Sequence, residues 1–169
     1  MAIKQITSLV NIGGAVTQTV ANAFTEQTIG INLSPVDRQV FVITDVAFTS
    51  TKPSMVPGTQ STVSMQVTKT SQTALIGADS PDLISRNQKH MFGGAAEFSP
   101  LETDFGGGGQ TSTGGKNDYL MILATEDAFI SVVGVANTAV SAAQCRVTGY
   151  FATADASTYQ ALVLSELQG

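Results

Sequence analysis

Along this chain, apolar and polar residues alternate with a period of two far more often than they recur every third or fourth position, and that pattern predicts strands. The segment 39–51 (QVFVITDVAFTST) is rich in β-branched and aromatic residues at both parities, as expected of a central strand covered on each side. Over 62–68, Val63, Met65 and Val67 alternate with Ser64, Gln66 and Thr68, which predicts a strand with one solvated face. Two apolar segments, 119–125 and 129–136, are separated only by Glu126-Asp127-Ala128, a connection short enough for an antiparallel hairpin. Near the end, Cys145, Val147, Gly149 and Phe151 alternate with Arg146, Thr148 and Tyr150 in a last strand over 143–151. Weaker alternation marks 28–33 and parts of the first 24 residues.

Two segments break the period. Asp79-Ser80-Pro81-Asp82 offers a capping Ser, a Pro at the first helical position and acids beside the positive helix end; Arg86, Lys89 and His90 then precede the stop Gly93-Gly94. A short helix over 81–91 is predicted. The C-terminal segment opens with Ser157 and Gln160 at capping-box spacing and sets Tyr159, Leu162, Val163 and Leu167 on one stripe. This predicts a second helix packed on a sheet or on a neighbouring subunit, with Leu162-Val163-Leu164 also compatible with an edge strand.

Seven or eight short strands joined by Gly-, Pro- and Ser-rich turns, with no βαβ alternation, predict a mainly β fold: an antiparallel β-sandwich, jelly-roll-like, with one short helix inside the long connection 71–118 and a C-terminal helix. The 169 residues fit one domain. Residues 25–169 are assigned to that sandwich, and residues 1–24 to an N-terminal arm or an ordinary first strand.

Composition narrows function by exclusion. Only 12% of the residues are charged, against roughly a quarter in a typical soluble domain. The chain has one His, one Cys and no Trp, so the residue types from which active sites are mostly built are scarce. It is expected not to be an enzyme and to need no cofactor. Apolar residues make up 43% and the mean hydropathy is +0.17, which predicts apolar surface buried against further copies. The 8 basic and 13 acidic residues leave a net charge of -5. The basic ones are scattered and form no stripe for a phosphate backbone, so direct nucleic-acid binding is not expected. No apolar run approaches a membrane span, and Thr7, Ser8, Asn11, Thr17, Gln18 and Thr19 interrupt the stretch before Ala21-Asn22-Ala23, so neither a secretion signal nor a membrane partner is predicted and synthesis is expected in the cytoplasm.

Individual residues offer little chemistry. Cys145 falls in a predicted strand and reads as a small buried apolar side chain. His90 lies where a cation stabilises a helix C-terminus. The segment 109–117 (GQTSTGGKN) has neither the glycine spacing nor the Lys-Ser/Thr pair of a phosphate loop and precedes a strand, so with Gly106-Gly107-Gly108 it reads as a projecting surface loop. The acidic pairs Asp79 and Asp82, Glu102 and Asp104, and Glu126 and Asp127 lack diagnostic calcium spacing and serve turns and caps. Asp45 shares the parity of Phe41 and Ile43 and should need a buried partner, Arg146 or a backbone group. Asn32-Leu33-Ser34 matches a glycosylation triplet but has no secretion signal to give it meaning. No catalytic, cofactor or metal residue is therefore assigned. The protein-binding candidates are Ile3, Ile6, Leu9, Val10 and Ile12, apolar positions followed by Gly13-Gly14 that fit a docking arm.

The Ser/Thr/Gln-rich strands, scarce charge, Gly-rich loop and closing RVTGYFATADASTYQALVLSEL (residues 146–167) resemble virion structural proteins of tailed bacteriophages. The types resembled are small jelly-roll-like head decoration (cement) proteins and the β-sandwich modules of fibres. The resemblance implies a homotrimer or larger assembly in the virion that docks on other virion proteins and stabilises a capsid without chemistry. Two alternatives share the fold. One is a major capsid subunit of a small jelly-roll virus, for which a basic arm is missing. The other is a carbohydrate- or receptor-binding fibre module, for which Trp is absent and Tyr119, Tyr150 and Tyr159 fall on packing positions.

Overall fold

The computed structural model describes residues 3–94, 97–105 and 119–167. Ten strands and one helix follow in order: β1 Ile3–Gln5, β2 Val10–Thr17, β3 Thr25–Gly30, β4 Gln39–Ser50, β5 Gln60–Thr68, β6 Leu83–Gly93, β7 Phe98–Phe105, β8 Met121–Leu123, β9 Asp127–Val135, β10 Ala142–Ala154 and α1 Ala156–Leu167. They form two antiparallel sheets. In one, β10 lies between β4 and an outer strand made of β1 and β2 in succession, with β8 beyond β4; the other runs β3-β9-β5-β6-β7.

The pairings are nested: β2 with β10, β3 with β9, β4 with β8, and β5 with β6. A long antiparallel ribbon wrapped around itself gives this nesting, which is the jelly roll expected from the strand count and turn chemistry. Between the sheets lies one core, with Phe41, Ile43, Val46, Cys145 and Val147 facing Ile29, Val63, Met65, Ile130 and Val132. The rings of Phe41 and Phe151 meet at 5.0 Å, tilted by 56°. Each large side chain fully removed from water here contributes about 1.5–3 kcal/mol.

The outer face of the first sheet carries a second apolar cluster. Val40, Val42, Ile122, Ala124, Ala152 and Ala154 are covered by Tyr159, Leu162 and Val163 of α1. β4 is thus covered on both faces, as its unalternating sequence requires. The helix is capped by Asp155, whose carboxylate accepts from the Thr158 N–H at 2.7 Å and the Ser157 hydroxyl at 2.9 Å, so the cap lies two residues before Ser157.

Four local expectations are corrected. The segment read as a helix over 81–91 is β6, paired with β5 along its length and with β7 from Arg86 to Gly93. Ser80 does cap, accepting from the Asp82 N–H at 3.3 Å, but the turn it closes leads into a ladder instead of a helix. The segments 119–125 and 129–136 form no hairpin: β8 pairs with β4 in one sheet and β9 with β3 and β5 in the other. Glu126 marks a crossing between layers.

β5 is buried at both parities, with Gln66 and Thr68 as inaccessible as Met65. The following loop folds over the outward parity, where Gln66 donates to the Ala74 carbonyl at 3.2 Å and accepts from the Ile76 N–H at 3.0 Å. At the end of β5, Lys69 and Asp82 form a buried ion pair at 3.2 Å, and Thr70 donates to the same carboxylate at 2.9 Å. Finally, Asp45 does not face the core. β4 bulges against β10 at Thr44, so that Asp45 pairs with Thr148 and Ile43 with Gly149. The extra residue flips the parity, giving the core Val46 in place of Asp45. No ion pair joins Asp45 to Arg146 among the described residues.

Candidate functional site

The N-terminal residues separate into two groups. Ile3 packs on the cluster beneath α1, and Val10 and Ile12 pack against the core between the sheets. β1 and β2 both pair with β10, through Ile3 opposite Ala154 and Ile12 opposite Val147. These three residues serve the sheet edge. Ile6 and Leu9 lie where the outer strand breaks between β1 and β2, 45% and 62% exposed. The Ile6 and Thr7 N–H groups hold the break by donating to the Phe151 carbonyl. Of the five candidates, only Ile6 and Leu9 present side chains outward.

A second surface gathers at the end of the sandwich where β2, β4 and β9 finish. Asn137, buried in the loop 136–141, joins the neighbouring loops. Its amide donates to the Thr62 carbonyl at 2.7 Å, its oxygen accepts from the Ser54 N–H at 2.8 Å, and its backbone exchanges two bonds of 2.9 Å with the side chain of Asn22. Gln18 accepts from the Ser141 N–H at 2.8 Å while its own N–H donates to the Ser141 carbonyl at 2.9 Å. On this fixed frame Val20, Met55, Val135 and Val140 stand 47–65% exposed. Asn22 and Ala136 take positive φ of 64° and 55°, turns that sequence patterning did not single out; the signal available was Asn within polar, small-residue connections.

Beside this end, a cleft of about 480 Å³ opens between the connection after β4 and the β6–β7 ribbon. Its walls include Pro53, Met91, Pro100 and Leu101, with Lys52 at the margin. Lys89 and Glu102 also line it, 3.9 Å apart, and Asn87 holds Glu102 at 2.8 Å. Among the described residues no carboxylate pairs with Lys52. Sequence patterning read Lys89 as a helix-end cation and Glu102 as one of an acidic pair and marked no cleft, because the cleft exists only through tertiary pairing of β6 with β7.

At the opposite end, the loop 31–38 presents Val36 with 92% of its surface exposed. The turn is pinned: Asp37 accepts from the Ser34 hydroxyl at 2.8 Å, the Arg38 N–H donates to the Pro35 carbonyl at 3.1 Å, and the Gln39 N–H donates to the Ser34 carbonyl at 3.1 Å. Arg38 takes a positive φ of 51°. The loop begins beside Glu126, whose carbonyl accepts from the Ile31 N–H at 2.7 Å.

The two residues with intrinsic reactivity, His90 and Cys145, lie apart on β6 and β10. His90 lies within a strand, half-buried, with its Nδ1 3.1 Å from the Thr62 hydroxyl and 3.3 Å from the Gln60 amide, and its ring stacks with Phe92. It therefore caps no helix. The Thr62 hydroxyl beside the ring is buried, and neither of these two neighbours is a carboxylate that could orient it. Cys145 is buried in the core and its thiol is pushed up to about 12 by desolvation, against a smaller opposite effect of the backbone hydrogen bond from Gly14. That environment disfavours the reactive thiolate.

Among the described residues no group of three His, Cys, Asp or Glu side chains is placed to hold a metal ion, and no helix is long and apolar enough to cross a membrane. Asp82 of the acidic pairs is committed to Lys69. The Gly-rich segment 106–117 and the side chains of Asp104 and Leu167 lie outside the described residues.

No family model matches the chain, and no curated protein matches it. It is similar to a solved structure of Desmodium yellow mottle tymovirus, at a TM-score of 0.33 and 11% identity, over 89% of this chain and 91% of that one. That structure is of a tymovirus, not of a tailed bacteriophage.

Proposed function

We propose that this chain is a non-enzymatic virion structural protein that associates with copies of itself, as a homotrimer or larger closed assembly, and with other virion proteins to decorate or stabilise a capsid. The observation that carries the reading is the end of the jelly roll where Val20, Met55, Val135 and Val140 stand exposed on loops tied together by Asn22, Asn137, Gln18 and Ser54. Apolar side chains on a frame already fixed by hydrogen bonds lose little conformational entropy on association, the property a docking surface needs. Repeated weak contacts of this kind gain avidity when many copies meet one lattice.

Ile6 and Leu9, exposed at the break between β1 and β2, supply a further contact in this reading. The N-terminal segment then binds through those two residues, while Ile3, Val10 and Ile12 hold it to the sheet. The scattered lysines and arginines support protein partners over nucleic acid.

Light scattering behind size exclusion, followed by electron microscopy of the same fractions, tests the proposal. A stable trimer or a closed particle is expected; closed shells from the chain alone would assign the major-capsid form of the role and trimers the decorating form. A chain that stays monomeric to near-millimolar concentration and does not co-sediment with capsids would overturn it.

A further inference from the structure

We infer that copies join head to tail, the pinned turn carrying Val36 on one copy seating in the Lys52 cleft of the next. The inference rests on the self-association proposed above and specifies the surfaces that make it. Val36 is a large apolar side chain almost wholly in water, on a turn held by hydrogen bonds from Ser34, Arg38 and Gln39. It is a knob with no hole in its own chain. The cleft is a hole large enough for the whole turn: about 480 Å³, walled by Pro53, His90, Met91, Pro100 and Leu101, within the usual size of ligand-binding clefts.

Charge decides the orientation. The cleft holds two lysines, Lys52 and Lys89, against one carboxylate, Glu102. The end bearing Val36 is acidic on balance, with Asp37, Glu126, Asp127, Asp79 and Asp155 exposed against the exposed cations Arg38 and Lys4. With Val36 in the cleft, Glu126 and Asp127, next in space to the start of its loop, come to the side of Lys52. Two like ends would oppose acid to acid or leave the cleft empty. Knob and hole lie at opposite ends of the sandwich, so the contact is heterologous: each copy uses one surface on each neighbour, and the series closes into a ring or extends.

The test uses the whole chain and reads mass against concentration by sedimentation velocity. Val36→Asp removes the knob at a fully solvated position, and Lys52→Glu reverses the charge at the cleft margin; circular dichroism confirms that both keep the fold. Each is expected to weaken self-association at least tenfold. An equimolar mixture of the two is expected to form dimers and nothing larger, because each variant retains the half that the other lacks. Glu126→Lys in the Lys52→Glu background is expected to restore association in part.

Assembly of both variants with the affinity of the parent chain would overturn the head-to-tail contact while leaving self-association standing. A parent chain that never associates would overturn both.

Discussion

The carboxylate of Glu166, in the last turn of α1, accepts hydrogen bonds from the backbone N–H groups of Ala124 and Thr125 at 2.7 and 2.9 Å, in a site where Glu166 is 6% exposed. The helix is thereby fixed at both ends on the outer face of one sheet, by Asp155 where it leaves β10 and by Glu166 beside the end of β8. Glu166→Gln replaces one acceptor with an amide donor facing a donor, and a buried unpaired group costs about 1–3 kcal/mol. Urea unfolding is expected to show a loss of that size, with faster proteolysis of the C-terminal helix.

Asn137 performs the equivalent task for the loops at the opposite end. Asn137→Ala leaves the Ser54 N–H and the Thr62 carbonyl without this partner, for an expected loss of about 2 kcal/mol or more. Asn137→Asp is expected to be at least as harmful, since its second oxygen would face the Thr62 carbonyl. Hydrogen exchange at Ser54 reports the effect locally, and protection there is expected to fall in both variants.

Gly149 marks where β10 passes the bulge in β4. A Cβ at this position would strike the Val42 carbonyl and the Phe41 ring, whereas one at Gly13 would meet nothing within 4 Å. Gly149→Ala is expected to lower stability by about 1–3 kcal/mol through overpacking. Gly13→Ala, in β2, is expected to be neutral or slightly stabilising because it restricts the unfolded chain. Melting temperatures of the two variants against the parent check the contrast.

Cys145 gives a pH dependence whose sign follows from its buried thiol. Its folded value of about 12 lies above that of the unfolded chain. Below the unfolded value both states hold the proton and the contribution is fully present. As pH rises from there toward 12, only the unfolded chain releases its proton, so stability falls by about 1.4 kcal/mol per pH unit from this group. Cys145→Ala is expected to flatten the decline between pH 9 and 11 by that one-proton slope, measured as urea midpoints at successive pH values. An unchanged slope would contradict the assignment.

The period-two segments were legible in the chain because a strand between two layers must alternate or be apolar throughout. β4, β10 and the buried parity of β5 follow from that local requirement, as does the buried character of Cys145. The α1 stripe of Tyr159, Leu162 and Val163 is equally local, since helical spacing brings those side chains to one face. Composition also made plain that His, Cys and charged residues are scarce.

Where the sequence misled, competing local signals were overruled by distant partners. Ser80, Pro81 and the basic residues of 86–90 satisfy the rules for helix ends, yet β5 and β7 offered ladder bonds on both sides and made the segment a strand. One residue of bulge at Thr44 was enough to turn Asp45 away from the core between the sheets, where it is half-buried. Of the apolar N-terminal positions, pairing with β10 alone decided that Ile3, Val10 and Ile12 pack inward while Ile6 and Leu9 remain exposed.

By itself, then, the sequence determined that β4, β5 and β10 are extended and that His, Cys and charged residues are scarce, because these depend on residue types and on neighbours a few residues away. Only the tertiary structure decided which strands meet, which loops share Asn137, and where the Val36 turn and the Lys52 cleft stand. Those relationships depend on closing the core over contacts far apart in the chain, and local periodicity carries no record of which distant strand will supply the other half of a ladder.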